Sequence, residues 1–343
     1  MANRDWTSIK EEMIETEELM EREGLRMRMH GSMSVRYDEE TIFFAGDVLR
    51  GAPFTQGQIR RLKLKRIKNM AAVHATIYKM RPDVNAVVFT RQCCGSTLGI
   101  LKQDGLAAED EQGNLLKIRV VPFVLPGSDA QRAHVRRLAA KEKDLGILIT
   151  ANHGVLAFGP TLRDAFASAL TLERFGQLYL EQLAHTDLVC GVEHGYDSVR
   201  EGSGIRFEAD PPARVRKIHE TIYAARPDVR AIVHNKSRAA ATVSRICERL
   251  YPLFDDQVRL AGGGVPIPDG RNGEKTRDGI YVSQGSNVSF CRDDGAYCYG
   301  RSRTQAHFIA ESVEKACIAQ IAAARMEGAH VLGARDVRRL QRM

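Results

Sequence analysis

Between residues 74 and 90 the chain changes its hydrophobic period. His74, Ile77 and Tyr78 recur at i, i+3 and i+4, which puts them on one helix face. Arg81-Pro82-Asp83 ends that helix, because the residue before a proline is pushed out of the helical region. Asn85 to Phe89 is then a short apolar run, partly β-branched, as a buried strand requires. The same switch comes again at His219–Asn235. HATIYKMRPDVNAVVFT and HETIYAARPDVRAIVHN share ten of seventeen positions without a gap. A match of that quality marks two copies of one unit.

The likeness extends in both directions. His30-Gly31-Ser32-Met33-Ser34-Val35-Arg36 answers to His194-Gly195-Tyr196-Asp197-Ser198-Val199-Arg200. Asn152-His153-Gly154 with Gly159 answers to Asp293-Asp294-Gly295 with Gly300, and Ala165, Ala169 and Glu173 answer to Ala306, Ala310 and Glu314. The second copy is shorter by about nineteen residues between its first two landmarks, where the first carries the basic stretch Ile59–Lys68. Around the landmarks the patterning predicts a first helix over 5–24, paired strands over 34–46 and a loop from Gly46 to Gly57. It predicts a helix over 58–80 with a basic face, a short helix after Cys94 and a strand over 117–124. A helix over 129–143 follows, then strands on either side of Asn152 and a long helix from about 161 to 183. In the second copy Gly262–Gly273 is a glycine-rich loop without the Lys-Ser/Thr spacing of a phosphate-binding Walker loop.

These landmarks, in this order, resemble the pattern of the class II aldolase/adducin family, and the chain resembles it twice. The resemblance implies an α/β fold of three α/β/α layers with a mainly antiparallel central sheet, here as two fused class II aldolase-like domains, 1–187 and 188–343. It implies a divalent ion held by three histidines, two from an H-x-H at the end of the middle strand and one from the NHG turn. Residues i and i+2 on a strand face the same way, and a third imidazole from a neighbouring turn completes an open site. It also implies that the backbone N–H groups around Gly31, Ser32 and Gly195 contact an anionic substrate group. Rings of four subunits are common in the family, so a fused pair is expected to form a homodimer that makes a pseudo-fourfold ring.

Both copies depart from the ligand pattern. The first offers Phe89, Arg91 and His153, the second His234, Lys236 and Asp294, and the family's acid/base Glu is replaced by Met70 and Val215. A guanidinium cannot be deprotonated, and a cation at a ligand position repels a divalent ion. The expectation is a metal-free pocket, a composite divalent site being the alternative. His234 and Lys236 face one way and form the candidate acid/base or Schiff-base pair, with Lys236 supplying the ion's positive charge and Asp294 opposite it. His153 is a candidate acid/base or a single remaining ligand, with a locally bonded relic as the bland reading. Arg91 is a candidate clamp for a carboxylate or phosphate. His74 and His219, kept in both copies, read as structural hydrogen-bonding residues. The activity expected is lyase-like, on a small oxo or hydroxy acid or a phosphorylated sugar, through an enolate. A non-catalytic adducin-like assembly module and a metal-dependent lyase or oxygenase are the alternatives.

Composition adds little to this and removes some options. The 343 residues accommodate two domains, each large enough for its own core. The formal charge of +7 attracts anionic substrates, yet no nucleic-acid motif accompanies it, and the basic residues read as a solvated face. Seven cysteines without a CxxC pair, no apolar run of membrane length and no apolar leader indicate a cytoplasmic protein.

Overall fold

The computed structural model describes residues 5–25, 31–46, 54–68, 71–101, 104–184, 190–269, 277–326 and 328–343. The chain divides into two compact units, Met1–Gln182 and Leu183–Met343.

In the first unit, helix α1 (Trp6–Arg22) precedes the hairpin of β1 (Ser32–Arg36) and β2 (Thr41–Gly46) and the short β3 (Arg60–Lys63). Helix α2 (Ala72–Met80) leads into the central β4 (Ala86–Thr90), and α3 (Cys93–Ile100) follows at once. After β5 (Ala107–Glu109), β6 (Leu115–Val121) and α4 (Asp129–Lys141), the hairpin of β7 (Ile147–Thr150) and β8 (Gly154–Gly159) runs into α5 (Leu162–Ala184). The sheet order is β3-β2-β1-β4-β8-β7-β6-β5, antiparallel throughout except for β6 with β7.

Period-two alternation divides the core. On β4, Val87 packs with α2 and α4, while Ala86 and Val88 pack on the other face with Met13 of α1 and Ala165 and Ala169 of α5. The result is a three-layer α/β/α unit.

The basic stretch corrects the expected helix over 58–80. Arg60–Lys63 is an edge strand, pairing Ile42 with Leu62 and Phe44 with Arg60, and α2 starts only at Ala72. The alternation explains it. Ile59 is buried and Leu62 packs on the core, while Arg60, Arg61 and Lys63 are exposed. Charges along an exposed edge oppose pairing with a further strand.

The second unit contains β9 (Ser198–Glu201), β10 (Gly204–Phe207), α6 (Ala213–Ala225), β11 (Ala231–Asn235), α7 (Arg238–Ile246), β12 (Arg249–Leu250) and α8 (Asp255–Leu260). These are followed by β13 (Val265–Pro266), β14 (Val288–Cys291), β15 (Gly295–Gly300), α9 (Arg303–Ala323) and α10 (Ala334–Leu340). Its main sheet, β10-β9-β11-β15-β14, has the order of β2-β1-β4-β8-β7. Helix α6 covers one face with Ile218, Ile222 and Tyr223 against Ile232 and Tyr299, and α9 covers the other over β11 and β15. The expected glycine-rich loop begins at Gly262 and Gly264, both at positive φ, and its residues 270–273 lie outside the described residues.

Candidate functional site

Each unit ties the helix before its central strand to the strand beside it through the same kind of buried network. In the first, His74 Nδ1 lies 2.7 Å from Ser34 Oγ, and the Tyr78 hydroxyl donates to the Ser34 carbonyl at 2.8 Å. In the second, His219 Nδ1 lies 2.7 Å from Ser198 Oγ, which is 3.0 Å from the Tyr223 hydroxyl. Arg36 donates to the Val84 and Tyr78 carbonyls, and Arg200 to those of Val229 and Tyr223. Burial lowers the pKa of both His74 and His219 to about 3, so both rings are neutral. One partner differs between the units. His74 Nε2 has Ser32 Oγ at 2.9 Å, whereas Tyr196 stands at the corresponding place and His219 Nε2 has no hydrogen-bond partner among the described residues.

The turn after the central hairpin also recurs. Asn152 and Asp293 hold φ of 59° and 64°, a left-handed conformation that their short side chains tolerate. The glycine that follows is required for space: a Cβ on Gly154 would lie 2.5 Å from the Thr90 carbonyl oxygen, and one on Gly295 2.3 Å from that of Asn235. This turn presents His153 in one unit and Asp294 in the other at the end of the central strand.

In the second unit the expected residues meet. His234 and Tyr297 are cross-strand partners whose rings stack at 4.1 Å with 12° between planes. His234 Nε2 donates to the Asp294 carbonyl at 2.9 Å. Lys236 Nζ lies 3.7 Å from Asp294 Oδ1, and the Tyr297 hydroxyl donates to Oδ2 at 2.6 Å. Burial lowers the pKa of His234 despite the Asp294 groups that oppose it, so the imidazole is neutral. Burial, followed by the hydrogen bond to Asp294, raises that of Tyr297 and keeps it a phenol that donates. Asp294 is thus a carboxylate faced by a hydroxyl and an ammonium, with 17% of its side chain exposed. The Lys236 side chain, the expected Schiff-base amine, is 42% exposed.

The family's three-ligand ion does not fit this donor set. His234 spends Nε2 on a backbone carbonyl, Asp294 spends one oxygen on Tyr297, and a cation holds the third corner.

Among the described residues the first unit shows no comparable cluster at Arg91 and His153. Arg91 is only 3% exposed and donates Nη1 to the His153 carbonyl at 3.1 Å. The His153 ring packs on Phe89 at 4.8 Å. The Arg91 guanidinium, the expected anion clamp, is thus buried with one nitrogen on backbone. Gly31 and Ser32 are buried, with the Ser32 hydroxyl on His74, and the Gly195 N–H donates to the His234 carbonyl at 2.8 Å. Gly195 has a different constraint: a Cβ there would lie 2.7 Å from Lys236 Cδ and 2.8 Å from His234 Nδ1. His30 and Met70 lie outside the described residues. A cleft of this unit, about 1050 Å³, is lined by Glu12, Asp83, Asp110, Arg163 and Arg174, among others, and neither Arg91 nor His153 borders it.

Sequence reasoning missed Tyr297 and Asp197. Asp197 Oδ1 accepts the His234 N–H at 2.9 Å and fixes the strand end from below. Its signal was available, since the corresponding residue of the first copy is Met33.

This chain belongs to the class II aldolase and adducin family. The model of the class II aldolase and adducin N-terminal domain matches residues 11–180 and again 181–321. An L-fuculose phosphate aldolase of Methanocaldococcus jannaschii is 28% identical over 141 residues, which is 40% of this chain and 66% of that protein. Among solved structures, L-fuculose-1-phosphate aldolase of Thermus thermophilus is similar over 49% of this chain and 91% of its own, with 17% identity and a TM-score of 0.41. An aldolase II superfamily protein of Pseudomonas syringae is similar over 64% and 86%, with 16% identity and a TM-score of 0.43. No helix among the described residues is long and apolar enough to cross a membrane.

Proposed function

We propose that the second unit is a lyase acting on a small oxo or hydroxy acid or a phosphorylated sugar, with the Lys236 ammonium standing where the family's ion would. The observation that carries this is the Asp294 carboxylate between the Lys236 ammonium and the Tyr297 hydroxyl, partly exposed to solvent. For a β-hydroxy carbonyl substrate, Asp294 takes the hydroxyl proton. The bond between the α and β carbons breaks, leaving an aldehyde on one side. Its electron pair forms an enolate whose oxygen faces Lys236, and a proton returned at the α carbon completes the second product. A fixed charge aimed at a developing enolate is the main source of acceleration in such a site. The name of the archaeal relative makes a phosphorylated ketose the first substrate to try.

We infer that the first unit is structural, because its Arg91 and His153 are turned onto each other and onto Phe89. The shared sheet order, the paired His-Ser-Tyr networks and the recurring left-handed turn support an origin by tandem duplication. A homodimer that builds a pseudo-fourfold ring follows from that reading.

The test is cleavage assayed on phosphorylated ketoses and β-hydroxy acids. Lys236→Met should lower kcat by about 10²–10³-fold, and Asp294→Asn by about 10²–10⁴-fold, while His153→Ala leaves it unchanged. No turnover of any of these substrates by the wild-type chain would favour the adducin-like, non-catalytic reading.

A further inference from the structure

We propose that the second unit binds a divalent transition-metal ion of the zinc type on His194, Asp197 and His307, outside the Lys236 pocket. One ligand atom from each of these residues lies within 4.8 Å of the other two. His194 Nδ1 is 2.7 Å from Asp197 Oδ2, and the His194 and His307 rings are 4.9 Å apart between centroids. Two imidazole nitrogens and one carboxylate oxygen suit zinc, iron or cobalt, whereas magnesium and calcium favour oxygen alone.

The three residues are held by separate elements. The segment before β9 runs antiparallel to the end of β11, with His194 bridged to Asn235, the Gly195 N–H on the His234 carbonyl and the Lys236 N–H on that of Glu193. Asp197 stands one residue before β9, and its side chain is only 5% exposed. Its Oδ1 is taken by the His234 N–H, so Oδ2 is fixed in the direction of the histidines. A ligand carboxylate whose other oxygen is held by a hydrogen bond is how proteins stiffen metal sites. His307 comes from the first turns of α9, whose start is fixed by the Ser302 side chain accepting from the Gln305 N–H. The His194 side chain is 44% exposed, so the cluster opens to solvent and leaves room for a water or a substrate oxygen as a fourth ligand.

Comparison of the two copies gives an independent reason. Asp197 corresponds to Met33, and His307, the residue after Ala306, corresponds to Phe166, the residue after Ala165. Met33 and Phe166 belong to one apolar cluster in the first unit. In the second unit both members of that cluster are metal-ligating types, and they meet each other and His194. A carboxylate placed at a core position is costly unless it is paired or coordinated. An ion bridging Asp197 to two imidazoles adds to the compensation that His194 and the His234 N–H give.

The site does not depend on the lyase reading, since none of its three residues belongs to the Lys236–Asp294 pair. The experiment uses the full chain freed of metal with a chelator and then titrated with Zn²⁺, and in parallel with Co²⁺ followed by visible absorption. About one ion per chain is expected, as in mononuclear sites, with a rise in the thermal midpoint by mass action. His307→Phe, which installs the side chain present in the first unit, should weaken affinity by at least about a hundredfold, more than the loss of an outer-shell partner. His194→Gln, at an exposed ring, should do the same while the metal-free thermal midpoint stays at the wild-type value. Asp294→Asn should leave affinity unchanged. Absence of binding by the wild-type chain would overturn the proposal. So would undiminished affinity in both histidine variants, or an intense near-ultraviolet thiolate–cobalt band placing the ion on cysteine.

Discussion

Glu314 shows what one buried carboxyl does to pH dependence. Its Oε2 accepts from Asn235 and Ser237, while Oε1 is buried with no hydrogen-bond partner among the described residues, and burial raises its pKa to about 7. The folded state therefore holds this proton more tightly than the unfolded chain, whose value is near the ordinary 4.5. The stabilisation is fully present below pH 4.5 and is lost as pH rises through about 7. His74 and His219 act in the opposite sense. Their folded values near 3 lie below 6.5, so their contribution is full above pH 6.5 and falls as the solution is acidified. Glu314→Gln should separate the two effects. In denaturant titrations, the stability of wild type relative to this variant should be greater at pH 5 than at pH 7.5. An offset that is the same at both values would show that Glu314 does not titrate as its burial requires. At this scale much of the candidate site was legible in the sequence: His234, Lys236 and Asp294 were expected together, and they meet. Tyr297 was not, because a tyrosine in an apolar strand reads as core, and only the register that pairs it with His234 brings its hydroxyl to Asp294. The roles expected of Arg91, Ser32 and Gly195 rested on motif position. Burial and hydrogen-bond direction, which spacing does not encode, decide what those groups can reach.

Among elements, the strand–turn–strand unit that carries Asp294 is the most constrained. Gly295 has φ of 87°, and a Cβ there would press on the Asn235 carbonyl. Gly295→Ala should cost about 2 kcal/mol or more, combining left-handed strain with the clash. Asp293→Ala, in the same left-handed region but exposed, should cost about 1 kcal/mol. Equal losses in urea titrations of the two variants would refute the close-packing account of Gly295. The helix–turn–strand elements were readable because their periods are strong: α2 and β4, α6 and β11 fall where the repeat places them. The basic segment over 58–68 was misread because Arg60, Leu62 and Leu64 fit a strand as well as a helix. Only pairing with β2, a contact distant in sequence, selects between them.

For the whole molecule, two segments match one family, and we propose that their site positions diverged after duplication. The homodimer expected from the duplication should bury more than about 2,000 Å², and light scattering at micromolar concentration should return twice the mass of the 38.2 kDa chain. A monomer there would remove the pseudo-fourfold ring. The central claim is that chemistry resides in the second unit and depends on the charge of Lys236 beside Asp294. The most direct measurement is kcat for cleavage of L-fuculose 1-phosphate, or of whichever phosphorylated ketose or β-hydroxy acid turns over best, in wild type, Lys236→Met and Lys236→Arg. The account predicts a loss of about 10²–10³-fold in Lys236→Met, with partial recovery in Lys236→Arg because the positive charge is restored. Full activity in Lys236→Met, with loss instead in His153→Ala, would contradict it and move the active site to the first unit.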